Sequence, residues 1–141
     1  MAVIAMPTMS ATDEPRLGLE DVDIQRLGMA AMRFIRMIEQ GDIGLLWDAA
    51  SEMLRRAVPR EEFVTTMVRD RRVLGRGTDR RWTSVRIDRP RDGASLPPAT
   101  YAALEFSASL GRPAEHAREV VTLRWENGSV WRFAGYGVRF G

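Results

Sequence analysis

The chain contains no cysteine, no lysine and a single histidine, and these absences exclude several kinds of site. Without cysteine there is no disulfide framework, no thiol nucleophile and no thiolate metal site. The single imidazole, at His116, makes no metal or catalytic site without partners at a suitable spacing. We therefore expect no metal and no cofactor, and we place His116 in a loop between two strands.

Long apolar runs are also missing. No stretch approaches the ~20 apolar residues that a membrane span needs, and the N-terminus has no basic region and only a short apolar run before Pro7. As written, the chain is predicted to be cytoplasmic, with a flexible arm over residues 1–18 and a single domain over residues 19–141. A periplasmic or envelope location is the alternative if an export signal has been removed.

The positive charge is concentrated in one segment. All 21 basic side chains are arginine, and nine of them fall within residues 69–91, against three aspartates. Weak nucleic-acid binding through this segment, with Trp82 as a stacking platform, is therefore one hypothesis. The pattern argues against it, because some of these arginines run through a helix end, where the helix dipole favours cations, and the others alternate along a strand and do not all share a face.

Three helices are predicted in the first half of the chain, where apolar residues recur at three- and four-residue spacing. The first spans residues 21–40 and ends at a glycine. The second spans residues 43–57 and carries Trp47 on its inner face. The third spans residues 59–73, with proline near its first position and Phe63 inside.

The pattern then changes to an alternation of period two, which predicts strands. The four predicted strands span residues 80–87, 100–110, 119–125 and 129–140. In the second strand, Tyr101 and Glu105 face one side, and Leu104 and Phe106 face the other. Helices followed by an antiparallel meander predict an α+β domain, with three N-terminal helices packed on one face of a curved four-stranded sheet.

An Asn-Gly pair at residues 127–128 predicts a two-residue hairpin loop between the last two strands. In that register Trp125 lies opposite Val130, whereas Trp131 and Phe133 lie on the other face of the hairpin. Both faces are then largely apolar. One is expected to pack on the helices, and the other is expected to be covered by another protein, by a second copy of the chain or by a loop.

The candidate site residues fall into two groups. The interface or pocket candidates are the aromatic residues Trp47, Phe63, Trp82, Tyr101, Trp131, Phe133 and Tyr136. The candidates for buried charge are Arg71, Arg80, Glu105 and Glu119. Since a buried unpaired carboxylate is costly, the two glutamates are predicted to pair with Arg71, Arg80 or Arg132. The alternative is that one of them is a free carboxylate in a pocket.

Several segments resemble the bacterial domain-of-unknown-function family four-zero-one-nine, in matching order over residues 34–139. They are "FIRMIEQGDIGLLWDAASEMLRRAVPREEF", "RRVLGRGTDRRW", "LPPATYAALEFSASL" and "REVVTLRWENGSVWRFAGYGVR". The most specific pieces are "RRVLG" and "WRFAGYGVR". The resemblance implies a cone-shaped domain of helices and a curved sheet, similar to nuclear transport factor two or cystatin. It implies no activity.

These observations favour a non-catalytic binding domain. We expect it to act through contact with another protein, or through formation of a homodimer, on an exposed face of the sheet. The alternative is a cone-cavity protein that binds a small apolar ligand or is an enzyme, with Glu105, Glu119 or Tyr136 in the site. Nucleic-acid binding through residues 69–91 ranks third.

Overall fold

The computed structural model describes residues 22–90, 99–128 and 130–141. The helices come first: α1 (Ile24–Gln40), α2 (Ile43–Asp48), α3 (Glu52–Ala57) and α4 (Arg60–Leu74). The strands follow: β1 (Thr78–Asp88), β2 (Tyr101–Leu110), β3 (Glu115–Glu126) and β4 (Val130–Phe140). The strands form one open antiparallel sheet in the order β1-β2-β3-β4, so the predicted α+β class is confirmed. The arm predicted for residues 1–18 lies outside the described residues.

Helix α1 forms where the spacing predicted it, and both of its ends are capped. The Asp23 side chain accepts a hydrogen bond from the backbone N–H of Arg26, which satisfies one of the free donors of the first turn. Gly41 ends the helix in the left-handed conformation, with φ of 85°. The helix buries Leu27, Ala31 and Ile35 along one face.

The prediction of one continuous second helix is wrong, because residues 43–57 form two short helices, α2 and α3. The break falls at Ser51, which is fully buried. Its backbone N–H donates to the carbonyl of Phe133 at 2.8 Å, and its hydroxyl accepts from the N–H of Leu54 at 3.1 Å. The chain therefore leaves the helical path at Ser51 to bond with β4, and the same residue caps α3.

The predicted register of the β3–β4 hairpin is wrong by one residue. Glu126 pairs with Val130, so three residues separate the paired positions, although Asn127 and Gly128 do have the positive φ that the turn needs. Trp125 consequently lies opposite Trp131. A one-residue change of register moves side chains to the other face of a sheet. Trp131 and Phe133 therefore share the helix-facing side with Trp125.

Phe133 lies at the centre of the core between the sheet and the helices. Its side chain is fully buried, with its ring edge-on to Phe34 at 5.6 Å and to Phe63 at 6.3 Å between centroids. The helix-facing side of the sheet supplies most of the remaining core: Ala102, Leu104, Phe106, Val121 and Leu123. Phe133 is thus a packing residue, and it is not exposed at an interface.

The opposite face of the sheet is mainly polar. On β2 it carries Tyr101 and Glu105, as predicted, and on β3 it carries Arg118, Thr122 and Arg124. The second apolar face expected of the hairpin is not formed, because the corrected register brings both tryptophans to the helix side. No helix in the described ranges is both long enough and apolar enough to cross a bilayer.

Candidate functional site

A buried ion-pair cluster joins the helices to the sheet. It consists of Glu39 at the end of α1, Arg71 in the last turn of α4, Arg80 on β1, Glu119 on β3 and Tyr136 on β4. Glu119 is fully buried, and the side chains of Glu39, Arg71 and Arg80 are each no more than 10% exposed. The cluster contains two guanidinium and two carboxylate groups, so its formal charge is zero.

Arg80 is the bridge of the cluster. Its Nε donates to Oε1 of Glu119 at 2.6 Å, and its Nη2 donates to Oε2 of the same carboxylate at 3.1 Å. Both Nη nitrogens also donate to Glu39, at 3.3 and 3.1 Å. This two-bond geometry suits the planar guanidinium of arginine and would be lost with lysine.

Tyr136 and Arg71 close the other side of the cluster. The Tyr136 hydroxyl donates to Glu119 and accepts from Nη1 of Arg71 at 2.8 Å. Arg71 also donates to the carbonyl of Gly75 at 2.7 Å, and the N–H of Gly77 donates to Glu39 at 2.7 Å. Every carboxylate oxygen of the cluster thus accepts at least one hydrogen bond.

The pKa values of Glu39 and Tyr136 are both shifted away from neutral pH. Burial alone would raise the pKa of Glu39, but hydrogen bonds from Arg80 and Gly77 outweigh it and hold the pKa below its ordinary value. Burial, together with the neighbouring Glu119 carboxylate, raises the pKa of Tyr136. Glu39 is therefore ionised and Tyr136 neutral around pH 7. Neither group is poised to exchange a proton near that pH.

A second feature is an open groove beside α1 that is lined by residues from the helix and from all four strands. We call it the tryptophan groove. It has a volume of about 840 Å³, and its defining residues are Gly28, Met29, Arg33, Trp82, Trp125 and Trp131. Trp82 is 39% exposed and Met29 is 68% exposed. Large apolar side chains therefore face solvent on both the helix and the sheet side of the groove.

Contacts within the described chain hold the tryptophans in place. The Trp82 ring lies so close to Gly28 that a Cβ added at Gly28 would come within 2.6 Å of it. The Trp82 indole donates to the carbonyl of Ser84 at 2.9 Å. Trp125 and Trp131 pack on each other, with ring centroids 5.2 Å apart. The apolar walls of the groove are thus supported from within the domain.

The groove is also basic. Arg26, Arg33 and Arg36 line it from α1, and all three are exposed. None of them forms an ion pair with another residue in the described ranges. Asp23 is the one carboxylate among the lining residues of the described ranges, and it caps the helix. Among the described residues, these arginines therefore have no ion-pair partner that would compete with a bound anionic group.

A family model with the description "Protein of unknown function (DUF4019)" matches residues 30–136. The chain belongs to this family. The match runs from within α1 to Tyr136 on β4, and so includes every residue of the buried ion-pair cluster. No curated protein and no solved structure matches the chain. The likeness to nuclear transport factor two or cystatin therefore stays a prediction.

The DUF4019 domain places the aromatic candidates in three environments. Trp82 and Trp131 line the tryptophan groove. Trp47, Phe63 and Phe133 pack in the core, and the Trp47 indole donates to the carbonyl of Val58 at 2.9 Å. Tyr136 belongs to the buried ion-pair cluster. Tyr101 is buried on the other face of the sheet, where its hydroxyl contacts Met53 and accepts from Arg124.

The charge candidates are only partly brought together. Arg71, Arg80 and Glu119 meet in the buried ion-pair cluster. Glu105 does not join them, because it lies on the opposite face of the sheet, and it forms no ion pair with a described residue. Arg132, the third expected partner, lies 3.8 Å from Glu126. The ion pair predicted for Glu105 is therefore wrong.

Sequence reasoning missed two buried carboxylates, Glu39 and Glu126. Glu39 follows the buried Ile35 by four residues, so its helical position already indicated a place beside the core. Glu126 is 7% exposed and accepts from Arg124 at 2.7 Å and from the N–H of Glu52. The alternation of β3 already places Arg124 and Glu126 on one face, but the contacts of Glu126 with α3 and β4 depend on how those elements pack.

The structure also gives the positions of several arginines within residues 69–91 and of His116. Arg71 and Arg80 are used within the buried ion-pair cluster, and Arg89 is 9% exposed, with Nε and one Nη lacking a partner in the described ranges. His116 is not in a loop. It lies exposed on β3, with Nε2 2.8 Å from the hydroxyl of Ser107.

The lowered pKa of Glu39 predicts a pH-dependent loss of stability. Its favourable interactions are complete above the ordinary pKa of 4.5 and are lost as the pH falls through the lower folded-state value. Glu39→Gln is therefore expected to lower the urea midpoint at pH 7 and to have a smaller effect near pH 3. Glu61→Gln, on the exposed side of α4, is the control. A Glu39→Gln effect that is the same at both pH values would contradict this prediction.

Proposed function

We propose that this DUF4019 domain is a non-catalytic binding domain whose tryptophan groove receives a segment of another protein. The observation that carries the proposal is the exposure of Trp82 and Met29 in a groove bordered by arginines without ion-pair partners in the described ranges. Tryptophan and arginine are the residues most enriched at the energetic centres of protein interfaces. Exposed apolar surface with a polar rim is typical of such sites.

The buried ion-pair cluster supports a non-catalytic role. A general base needs an accessible carboxylate or imidazole within reach of the substrate. The carboxylates of Glu39 and Glu119 already accept hydrogen bonds from arginine, and the hydroxyl of Tyr136 is held between Glu119 and Arg71. Such an arrangement orders the elements that carry it, here α1, α4 and three strands.

The chemistry of the groove indicates the kind of segment that it fits. The tryptophan and methionine side chains favour one or two large apolar side chains. Arg26, Arg33 and Arg36 favour aspartate or glutamate beside those anchors, because opposite charges speed encounter and exclude cationic partners. The proposed partner is therefore an acidic segment with apolar anchors. Self-association is the same proposal with a second copy as the partner.

A small apolar ligand is the second candidate. The groove volume of about 840 Å³ falls within the range of ligand pockets, roughly 300–1,000 Å³. A ligand held by the tryptophans alone would not depend on the arginines. The response to a charge reversal on α1 thus separates the two candidates.

The test is a selection of phage-displayed dodecapeptides against the full chain, followed by fluorescence anisotropy with a selected peptide. Acidic residues around a large apolar residue are expected in the selected sequences. Trp82→Ala and Arg33→Glu are each expected to weaken binding at least about 10-fold, as loss of a central interface residue does. The matched control is Arg56→Glu, a charge reversal on exposed α3 outside the groove.

Two results would contradict the proposal: no enrichment of any peptide, or binding that neither groove variant weakens. Binding of an apolar dye that depends on Trp82 and not on Arg33 would favour the small-ligand candidate. Light scattering over a dilution series separates self-association from binding of another protein. A dimer that Trp82→Ala dissociates would identify the second copy as the partner.

A further inference from the structure

The face of the sheet that points away from the helices is covered at one end and open at the other. At the covered end Tyr101 is only 3% exposed, and its hydroxyl contacts Met53 of α3. Toward the other end of the strands, Arg81 on β1, Arg118 on β3 and Arg139 on β4 are all exposed. A charged surface is therefore open to solvent on this part of the sheet.

These three side chains form a row across the sheet, which we call the arginine row. Arg81 pairs with Ser107 of β2, and Ser107 pairs with Arg118. Arg118 in turn pairs with Arg139. Directly paired residues project from the same face, so the Cβ atoms of Arg118 and Arg139 lie about 5 Å apart. Like charges at such a position destabilise a sheet.

The described chain does not neutralise the arginine row. None of its members forms an ion pair with another described residue. Glu105, two residues before Ser107 on the same face, forms no such pair either. Arg86, which pairs with Ala103 on this face, adds a fourth exposed guanidinium. An anion bound across the row would remove the repulsion between its members.

We propose that the arginine row binds the phosphate backbone of a double-stranded nucleic acid. A guanidinium group binds phosphate oxygens through two parallel N–H···O bonds. Neighbouring strands lie about 4.8 Å apart, so the row extends over about 14 Å from β1 to β4. A DNA duplex carries one negative charge per ~1.7 Å of its axis. Over the length of the row it therefore offers more phosphates than the row has arginines.

The composition of this face favours a duplex over other anionic partners. Single strands stack their bases on aromatic side chains. Trp82 and Phe140, the exposed aromatic residues of the described strands, belong to the helix-facing side by their register. Acidic proteins need apolar anchors at the centre of the contact, and Val120 beside the row is small and partly buried. A duplex backbone needs neither, because its phosphates are bound through charge.

This surface differs from both of the other candidate surfaces of the domain. Only Arg81 belongs to the basic segment of residues 69–91, whereas Arg118 and Arg139 come from β3 and β4. The tryptophan groove lies on the helix side of the sheet, and the arginine row lies on the opposite side. The inference therefore goes beyond the proposed function and does not rest on it.

The salt dependence of binding tests the inference on the full chain. The measurement is the fluorescence anisotropy of a labelled DNA duplex of about 20 base pairs at increasing sodium chloride. Three phosphate contacts predict a slope of about −3 for log affinity against log salt, or a roughly 40-fold loss between 50 and 200 mM. Arg118→Gln/Arg139→Gln is expected to reduce this slope to about −1 and to weaken binding at 50 mM at least about 10-fold.

Three further variants separate a binding role from net charge and from a structural role. Arg69→Gln/Arg72→Gln removes the same charge from the exposed face of α4 and is expected to leave the slope unchanged. Glu105→Gln removes the carboxylate beside the row and is expected to strengthen binding, because that carboxylate repels phosphate. Arg139→Glu is expected to weaken binding and to raise the urea midpoint, since it turns a like-charge pair into an opposite-charge pair.

Three outcomes would overturn the inference. The first is no binding of the duplex at 50 mM salt, or a slope that Arg118→Gln/Arg139→Gln leaves unchanged. The second is an equal loss in Arg69→Gln/Arg72→Gln or in Arg33→Gln/Arg36→Gln, which would place the duplex elsewhere on the domain. The third is row-dependent binding of phosphatidylserine vesicles or polyglutamate without binding of the duplex. None of them depends on the peptide selection, so the proposed function can stand when this inference fails.

Discussion

Replacing Glu119 with alanine is expected to lower the free energy of unfolding by about 3–5 kcal/mol, the usual cost of breaking a buried ion pair. Glu119 is fully buried and accepts from Arg80 and Tyr136. Its removal leaves a guanidinium and a hydroxyl without their shared acceptor in a largely buried site. Urea unfolding followed by far-ultraviolet circular dichroism measures the change.

A matched exposed pair provides the control for Glu119→Ala. Glu52 and Arg56 form an ion pair on α3 with both side chains largely in solvent. Glu52→Ala is expected to change the urea midpoint only slightly, since exposed pairs contribute little. A double-mutant cycle with Arg80→Met then isolates the coupling within the pair. Equal, small effects of Glu119→Ala and Glu52→Ala would show that the cluster does not stabilise the fold.

Replacing Phe133 with alanine is expected to cost about 3–5 kcal/mol, as for other phenylalanines removed from a well-packed core. The ring is fully buried and edge-on to Phe34 and Phe63, so its loss opens a cavity between α1, α4 and the sheet. Thermal or urea unfolding measures the loss. An interface role for Phe133 would instead predict weaker binding with unchanged stability.

Phe140, on the same strand, provides a control for Phe133→Ala with the same type of residue. It is 46% exposed at the end of β4. Phe140→Ala removes the same ring from a site that loses little buried area, so a much smaller change in stability is expected. A Phe140→Ala effect as large as that of Phe133→Ala would contradict the assignment of Phe133 to the core.

The buried ion-pair cluster and the tryptophan groove involve different ends of α1. The buried ion-pair cluster holds the C-terminal end of this helix through Glu39, whereas Gly28, Met29 and Arg33 line the groove nearer its start. Loss of Glu119 is therefore expected to weaken groove binding by loosening the helix. Trp82→Ala is expected to weaken binding and to cost less stability than Phe133→Ala, since the Trp82 ring is partly exposed and the Phe133 ring is fully buried.

The sequence by itself determined which segments are helices, which are strands and how they follow one another. The apolar stripe of α1 and the alternation in β2 depend on local backbone geometry, with periods of 3.6 and 2 that can be read directly. The positive φ of Asn127 and Gly128 was equally predictable, because the turn chemistry is local. These features support the α+β class and the family membership.

Only the tertiary structure decided which side chains meet. The bond from Ser51 to Phe133 divides a predicted helix, and a one-residue change of register turns Trp131 and Phe133 toward the helices. The buried ion-pair cluster and the tryptophan groove each draw residues from α1 and from strands far along the chain. Such contacts depend on how separate elements pack together, and no local periodicity encodes that.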